Sequence, residues 1–266
     1  MLRSLQPTIH VIFSLFFYLT VFLSTSLDAK IIQVPSLYCL EKHLESQDTW
    51  VILDVDEVLL VAEDPILQRL QRPVFWSLFK KYTEGMPKEK QDALMSDIWL
   101  QHRYRALEEE NARFIRCIQK KGYTVFAVTA LPAGKSGNIP KTQDYRWNQL
   151  NRLGWDFSRA FSIKDEWVLE DGSQTAILDR GIVYSGKMPK GKAVVLLLER
   201  LERKPKRVVA VDDWRKNLES LEEELEPLEI EFLGLELQVE ELQNQKIDLE
   251  HAEKQFKNLV EKGKWY

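Results

Sequence analysis

Trp50-Val51-Ile52-Leu53 is a compact apolar run ending on Asp54, with no polar position inside it. A strand covered on both faces reads this way, because neither row of alternating side chains meets water. Tyr123 to Val128 repeats the pattern and closes on Thr129, and Arg207 to Val211 repeats it and closes on Asp212. Ile230-Glu231-Phe232-Leu233 predicts a fourth strand. Between these runs the apolar spacing lengthens to the helical period. It predicts a short helix over Ser36 to Ser46 and a long helical stretch from Pro65 to Lys121, interrupted near Gly85-Met86-Pro87. The last part of that stretch, from His102, puts Ala106, Phe114, Ile115 and Ile118 on one face and stops at Gly122. Lys141 to Leu153 and Ala193 to Glu202 are further helices, and Gln174 to Ser185 predicts a hairpin turning at Asp179-Arg180-Gly181. An acidic helix follows Asn217, and the charged tail from Glu236 to Lys262 reads as a solvated packing helix. Strands alternating with helices predict an α/β, doubly wound fold in which a parallel sheet lies between helices.

One apolar run has a different character. Val11 to Leu23 is broken only by Ser14 and Thr20 and follows Arg3. It suits the core of a signal peptide better than a spanning helix, which needs about 20 apolar residues. Cleavage is expected at Ser26 or Ala29, with retention of residues 1–29 as a membrane anchor the alternative. No lipobox cysteine follows the run, so no lipoprotein is expected. The expected location is outside the cytoplasm, periplasmic or secreted, with membrane contact only through this segment if it is retained. Export would let Cys39 and Cys117 pair, although two isolated cysteines read first as buried thiols.

Composition narrows the classes. At 44% apolar and 29% charged over 266 residues, the chain is neither disordered nor collagenous nor a coiled-coil rod. A net charge of −4 provides no dedicated nucleic-acid surface. Two cysteines cannot form a disulfide framework or a four-thiolate zinc site.

Chemistry is expected at the strand ends, because open α/β sheets bind ligands beyond the carboxyl ends of their strands. The three clearest strands end in Asp54-Val55-Asp56, in Thr129 and in Asp212-Asp213. Folding should gather four carboxylates and a hydroxyl at one edge. Such carboxylates repel one another unless a cation neutralises them, and an oxygen-only donor set favours Mg²⁺ over zinc. Lys187, Lys190 and Lys192 cluster ahead of the third strand and would serve an anionic substrate.

These residues, in this order, resemble the haloacid dehalogenase (HAD) superfamily of aspartate-nucleophile phosphohydrolases. Asp54-Val55-Asp56-Glu57-Val58 matches its first motif and Thr129, closing Val125-Phe126-Ala127-Val128, its second. Lys190, followed by Gly191, matches the third, with Lys192 as the rival. Val208 to Asp213, with Asn217 after it, matches the fourth. The likeness covers Ser36 to Leu233 and is closest to a group of exported, poorly characterised bacterial HAD-like proteins.

The resemblance implies a Rossmann-like core of residues 30–61 and 112–266, with a helical cap insert at 62–111. It implies that Asp54 attacks phosphorus to form an aspartyl-phosphate. Asp56 would protonate the leaving oxygen and then activate water, Thr129 would hold phosphoryl oxygens, and Lys190 would offset charge on nucleophile and phosphate. Mg²⁺ would bind Asp54, the Asp56 backbone carbonyl and Asp213, with Asp212 behind or reaching the ion through water. Glu57 and Asn217 depart from the commoner pattern: one adds a carboxylate, the other weakens a metal or lysine contact. The aromatics of the insert, Phe75, Trp76, Phe79, Trp99 and Tyr104, read mainly as packing. A cap of that size restricts substrates to modest dimensions. The loop from Ala130 to Lys141, rich in Gly and Pro, reads equally as a surface loop and as one whose Lys135 and Lys141 contact the non-phosphate part of an anionic substrate. The expected function is an exported, Mg²⁺-dependent phosphatase acting on a small phosphomonoester. The alternatives are a catalytically retired binding module of the cell envelope and a phosphotransferase.

Overall fold

The apolar runs become the centre of a sheet, and their continuous apolarity follows from burial on both faces. The computed structural model describes residues 30–266; the run from Val11 to Leu23 and the positions Ser26 and Ala29 lie outside the described residues. The chain begins with β1 (Ile31–Val34), β2 (Thr49–Leu53) and β3 (Leu60–Ala62), then α1 (Arg72–Thr83), α2 (Lys88–Gln101) and β4 (Tyr104–Ala106). Next come α3 (Asn111–Lys120), β5 (Thr124–Thr129), α4 (Thr142–Arg152), β6 (Trp167–Asp171), β7 (Gln174–Asp179) and β8 (Ile182–Tyr184). It closes with α5 (Lys190–Leu201), β9 (Arg207–Asp212), α6 (Arg215–Leu225), β10 (Glu231–Leu237), α7 (Glu240–Gln243) and α8 (Leu249–Lys262).

Eight strands form one sheet in the order β1-β10-β9-β2-β5-β8-β7-β6. All pairs from β1 to β8 are parallel, and β7 runs antiparallel to both of its neighbours. This is a Rossmann-like α/β fold. Trp50, Ile52, Phe126, Val128, Val208 and Ala210 face the layer that holds α5 and α6. Val51, Leu53, Val125, Ala127, Val209 and Val211 face the opposite layer, with Ile115 and Ile118 of α3 and Leu150 of α4. From β2 the chain steps outward to β5 and β8, then returns to lay β9 on the other side of β2. The crevice between β2 and β9 is therefore the switch point where such sheets bind ligands.

Several elements differ from the sequence reading. The helix predicted from His102 starts only at Asn111, and Ala106 lies in β4, paired with Leu60 of β3. This two-stranded ribbon closes the stem of the insert, leaving residues 63–103 between its strands. α5 begins at Lys190 rather than Ala193, and β10 continues to Leu237, so the tail starts as strand. The tail helix α8 is also more than a solvated cover. Phe256 and Leu259 pack with Phe75 and Phe79 of α1 and with Leu94 and Ile98 of α2. Asp64 at the root of the insert accepts hydrogen bonds from Gln255 Nε2 at 2.6 Å and Trp265 Nε1 at 3.0 Å. The C-terminal segment assigned to the core therefore braces the insert. Cys39 is half-buried and Cys117 exposed, and both are free thiols. No helix among the described residues is long and apolar enough to cross a membrane.

Candidate active site

Asp54 ends the central strand, and its backbone N–H continues the ladder by donating to Val211 O at 2.9 Å. The chain then turns sharply, with Leu59 N and Leu60 N both donating to Val55 O. Glu57 sits in the turn at φ 61, in the left-handed region that costs a branched or bulky residue most. Asp212 ends β9 and Asp213 follows it beside Asp54, and one carboxylate oxygen from each of the three lies within 4.8 Å of the others. All three side chains are buried.

Lys190 closes the cluster. Its Nζ lies 2.7 Å from Asp54 Oδ1 and 2.7 Å from Asp212 Oδ2, at the first residue of α5. Gly191 allows this placement, since a Cβ there would stand 1.9 Å from Ser220 O on α6. Lys192 lies 3.7 Å from Asp171 at the sheet edge and Lys187 is exposed, so Lys190 is the lysine of the cluster.

The Asp212 carboxylate is fully engaged. It accepts from Lys190, from Trp214 N at 2.9 Å, and from Asn217 Nδ2 at 2.9 and 3.1 Å. Asn217 thus fixes Asp212 rather than weakening the lysine contact, and Asp212 in turn fixes Lys190. Asp213 pairs instead with Arg69 Nε, while Arg69 Nη2 donates to the Asp213 carbonyl at 3.1 Å. The backbone N–H of Arg69 donates to Glu57.

Asp56 points the other way, with Arg146 Nη2 3.0 Å from its Oδ1 and 3.1 Å from its Oδ2. Thr129 is fully buried at the end of β5; its Oγ1 accepts from Leu131 N at 3.2 Å, which leaves the hydroxyl proton free to donate. Lys141 pairs with Glu166 at 2.5 Å on the surface.

Electrostatics follow from crowding. Four buried carboxylates, Asp54, Glu57, Asp212 and Asp213, lie around Lys190 and Arg69, with Arg72 also acting on Glu57. Burial pushes Asp54 and Asp212 above the carboxylate range; Asp212 adds to the rise on Asp54, and Lys190 opposes both. Burial and the neighbouring Asp54 push Asp213 up to about 6. Burial pushes Glu57 up to about 7, against the pull of the Arg69 N–H. For Lys190, burial acts to lower the value, and the Asp212 and Asp54 carboxylates more than reverse it, so the ammonium is held charged. A divalent cation would relieve this excess of negative charge, and the donor set is hard oxygen throughout, which fits Mg²⁺.

Arg69 and Arg146 were not singled out from sequence. Arg146 had a signal: it occupies the inward stripe of α4 between Thr142 and Leu150, where a charge needs a buried partner. Beside Asp56 lies a cavity of about 320 Å³ between the insert and the sheet edge, lined by Asp56, Trp76, Trp99, His102, Tyr104 and Arg146 among others.

No curated protein and no solved structure matches the chain. Residues 33–263 match the family described as Protein of unknown function (DUF2608), and the chain belongs to that family.

Proposed function

We propose that this member of the DUF2608 family is a phosphomonoester hydrolase of the HAD type, using Asp54 as a covalent nucleophile. The observation that carries the reading is the buried group at the β2–β9 switch point, where Lys190 touches both Asp54 and Asp212 and Asp213 completes the cluster. In the proposed reaction an Asp54 oxygen bonds to phosphorus as the bond to the leaving oxygen breaks, and water then cleaves the aspartyl-phosphate. Asp56 gives a proton to the leaving oxygen and later takes one from the attacking water, with Arg146 fixing the direction of its carboxylate. The free Thr129 hydroxyl proton and the Lys190 ammonium hold phosphoryl oxygens, as preorganised donors in a water-poor site. Asp54, Asp213 and the Asp56 carbonyl would hold Mg²⁺, which would neutralise charge on the phosphoryl group. The N-terminal segment makes export the proposed fate, with periplasm or secretion as the destination.

Two contacts favour a second reading, a retired fold that binds without turnover. Arg69 already occupies Asp213 and Arg146 already occupies Asp56, so both positions are neutralised from within. Phosphate release from p-nitrophenyl phosphate by the purified mature domain, in Mg²⁺ and in excess chelator, separates the two. Turnover that needs Mg²⁺ and is lost in Asp54→Asn supports the hydrolase; no turnover across a phosphometabolite panel supports the binding module.

A further inference from the structure

The cavity beside Asp56 has a wall that is uneven in a telling way. The insert contributes Phe75, Trp76, Met95 and Trp99, which present flat and polarisable surface. Against them stand two buried polar groups with unmet capacity. Arg146 is 3% exposed, and its Nε and Nη1 have no hydrogen-bond partner among the described residues. His102 is 7% exposed; its Nδ1 meets Ile98 O at 2.8 Å, and a carbonyl only accepts, so Nδ1 carries the proton and Nε2 is a bare acceptor. Nε2 also lacks a partner among the described residues. Both groups flank the Tyr104 ring, the imidazole at 4.2 Å and the guanidinium at 5.4 Å from its centroid.

A buried donor and a buried acceptor left unmade each cost free energy that a matching ligand group would recover. A hydroxyl or amide can serve either group, accepting from Arg146 or donating to His102. A sugar, with several hydroxyls to desolvate against Phe75, Trp76 and Trp99, is served less well here than a flat ring that stacks on them. The volume lies near the lower end of the range of about 300–1,000 Å³ for ligand pockets, which suits one or two rings.

We propose that this cavity takes the non-phosphate part of the substrate, and that this part is a small, flat, largely apolar ring bearing one hydroxyl or amide. The assignment rests on the phosphomonoesterase reading for the phosphate end but not for ring binding. The three ring isomers of hydroxybenzyl phosphate, benzyl phosphate and ribose 5-phosphate make a matched set, since all carry phosphate on a primary alcohol. Their binding to the Asp54→Asn protein is read from the fluorescence of Trp76 and Trp99. At least one hydroxybenzyl isomer should bind about tenfold tighter than benzyl phosphate and about a hundredfold tighter than ribose 5-phosphate. The matching hydroxybenzyl alcohol, without phosphate, should quench the wild-type protein, and Trp99→Ala should weaken that binding about tenfold. Ribose 5-phosphate binding as tightly as the aromatic set overturns the ring assignment and leaves the hydrolase reading standing. Ring binding with no turnover of any phosphate sustains this inference and removes the hydrolase. Failure of every ring probe to bind the wild-type protein overturns it without reference to activity.

Discussion

Replacing Lys190 with methionine keeps the length of the side chain and removes the ammonium that touches both Asp54 and Asp212. At 2.7 Å, each contact is worth roughly 6 kcal/mol of attraction at an effective dielectric of about 20. Desolvation of the ammonium takes back most of this, and truncating one partner of a buried pair costs about 3–5 kcal/mol net. A domain is stable by only about 5–15 kcal/mol, so the loss is a large share of the total. The pH dependence has a definite sign. Burial and like charge hold the folded carboxylates above their unfolded range, so the folded state binds extra protons and gains stability as pH falls. Without Lys190 the carboxylates it touched rise further, so the penalty is largest at pH 8 and shrinks as they protonate. Urea unfolding of wild type and Lys190→Met in chelator, at pH 8 and pH 5, measures this. The expected penalty is about 3–5 kcal/mol at pH 8 and about half of that or less at pH 5. A penalty below about 1 kcal/mol at pH 8, the size of an exposed pair, would refute the reasoning. So would one that does not change with pH.

Asp56→Asn keeps the size of the side chain but cannot pass a proton. It should slow phosphoenzyme formation roughly a hundredfold or more for an alkyl phosphate and far less for p-nitrophenyl phosphate, in single-turnover rates; equal losses would make Asp56 a shaper of the metal site. Trp265→Ala removes a fully buried ring from the brace on the insert and should cost about 3–5 kcal/mol. Hydrogen exchange should quicken in α1 and α8 while β2 and β9 stay protected, and unchanged protection in α1 would contradict the brace. His102 is held below its usual range, by burial first, with the Ile98 carbonyl opposing and Arg146 adding. Its contribution to stability is whole above about pH 6.5, the unfolded value, and is lost as pH falls. The stability difference between His102→Asn and wild type should therefore shift in favour of the variant from pH 7 to pH 5, and a constant difference would exclude a buried neutral imidazole.

The three central strands were legible because burial on both faces writes them as unbroken apolar runs, and the acids that follow them were legible for the same reason. Topology then did the rest: parallel pairing of β5, β2 and β9 puts every strand end on one edge. The β3–β4 ribbon was not legible, since three-residue strands carry no period and their pairing joins Leu60 to Ala106 across the whole insert. β6 was missed as well; it lies at the sheet edge with only Leu169 of its five residues buried, too little apolar pattern to read as a strand. The choice between Lys190 and Lys192 needed three dimensions. Two residues apart on a helix face about 200° apart, and the close packing of Gly191 on Ser220 decides which one turns inward. Arg69 and Arg146 come from segments distant in sequence from the acids they neutralise, so only the folded chain pairs them.

The central claim is that Asp54 carries the phosphoryl group, and the most direct measurement is to find it there. The purified protein is mixed with radiolabelled phosphomonoester and Mg²⁺, quenched in acid within the first turnover, and digested for peptide mapping. The account predicts one label per chain, on the peptide containing Asp54, released by hydroxylamine as an acyl phosphate and absent from Asp54→Asn. Phosphate release at an undiminished rate from Asp54→Asn, or turnover with no label on that peptide, would contradict it.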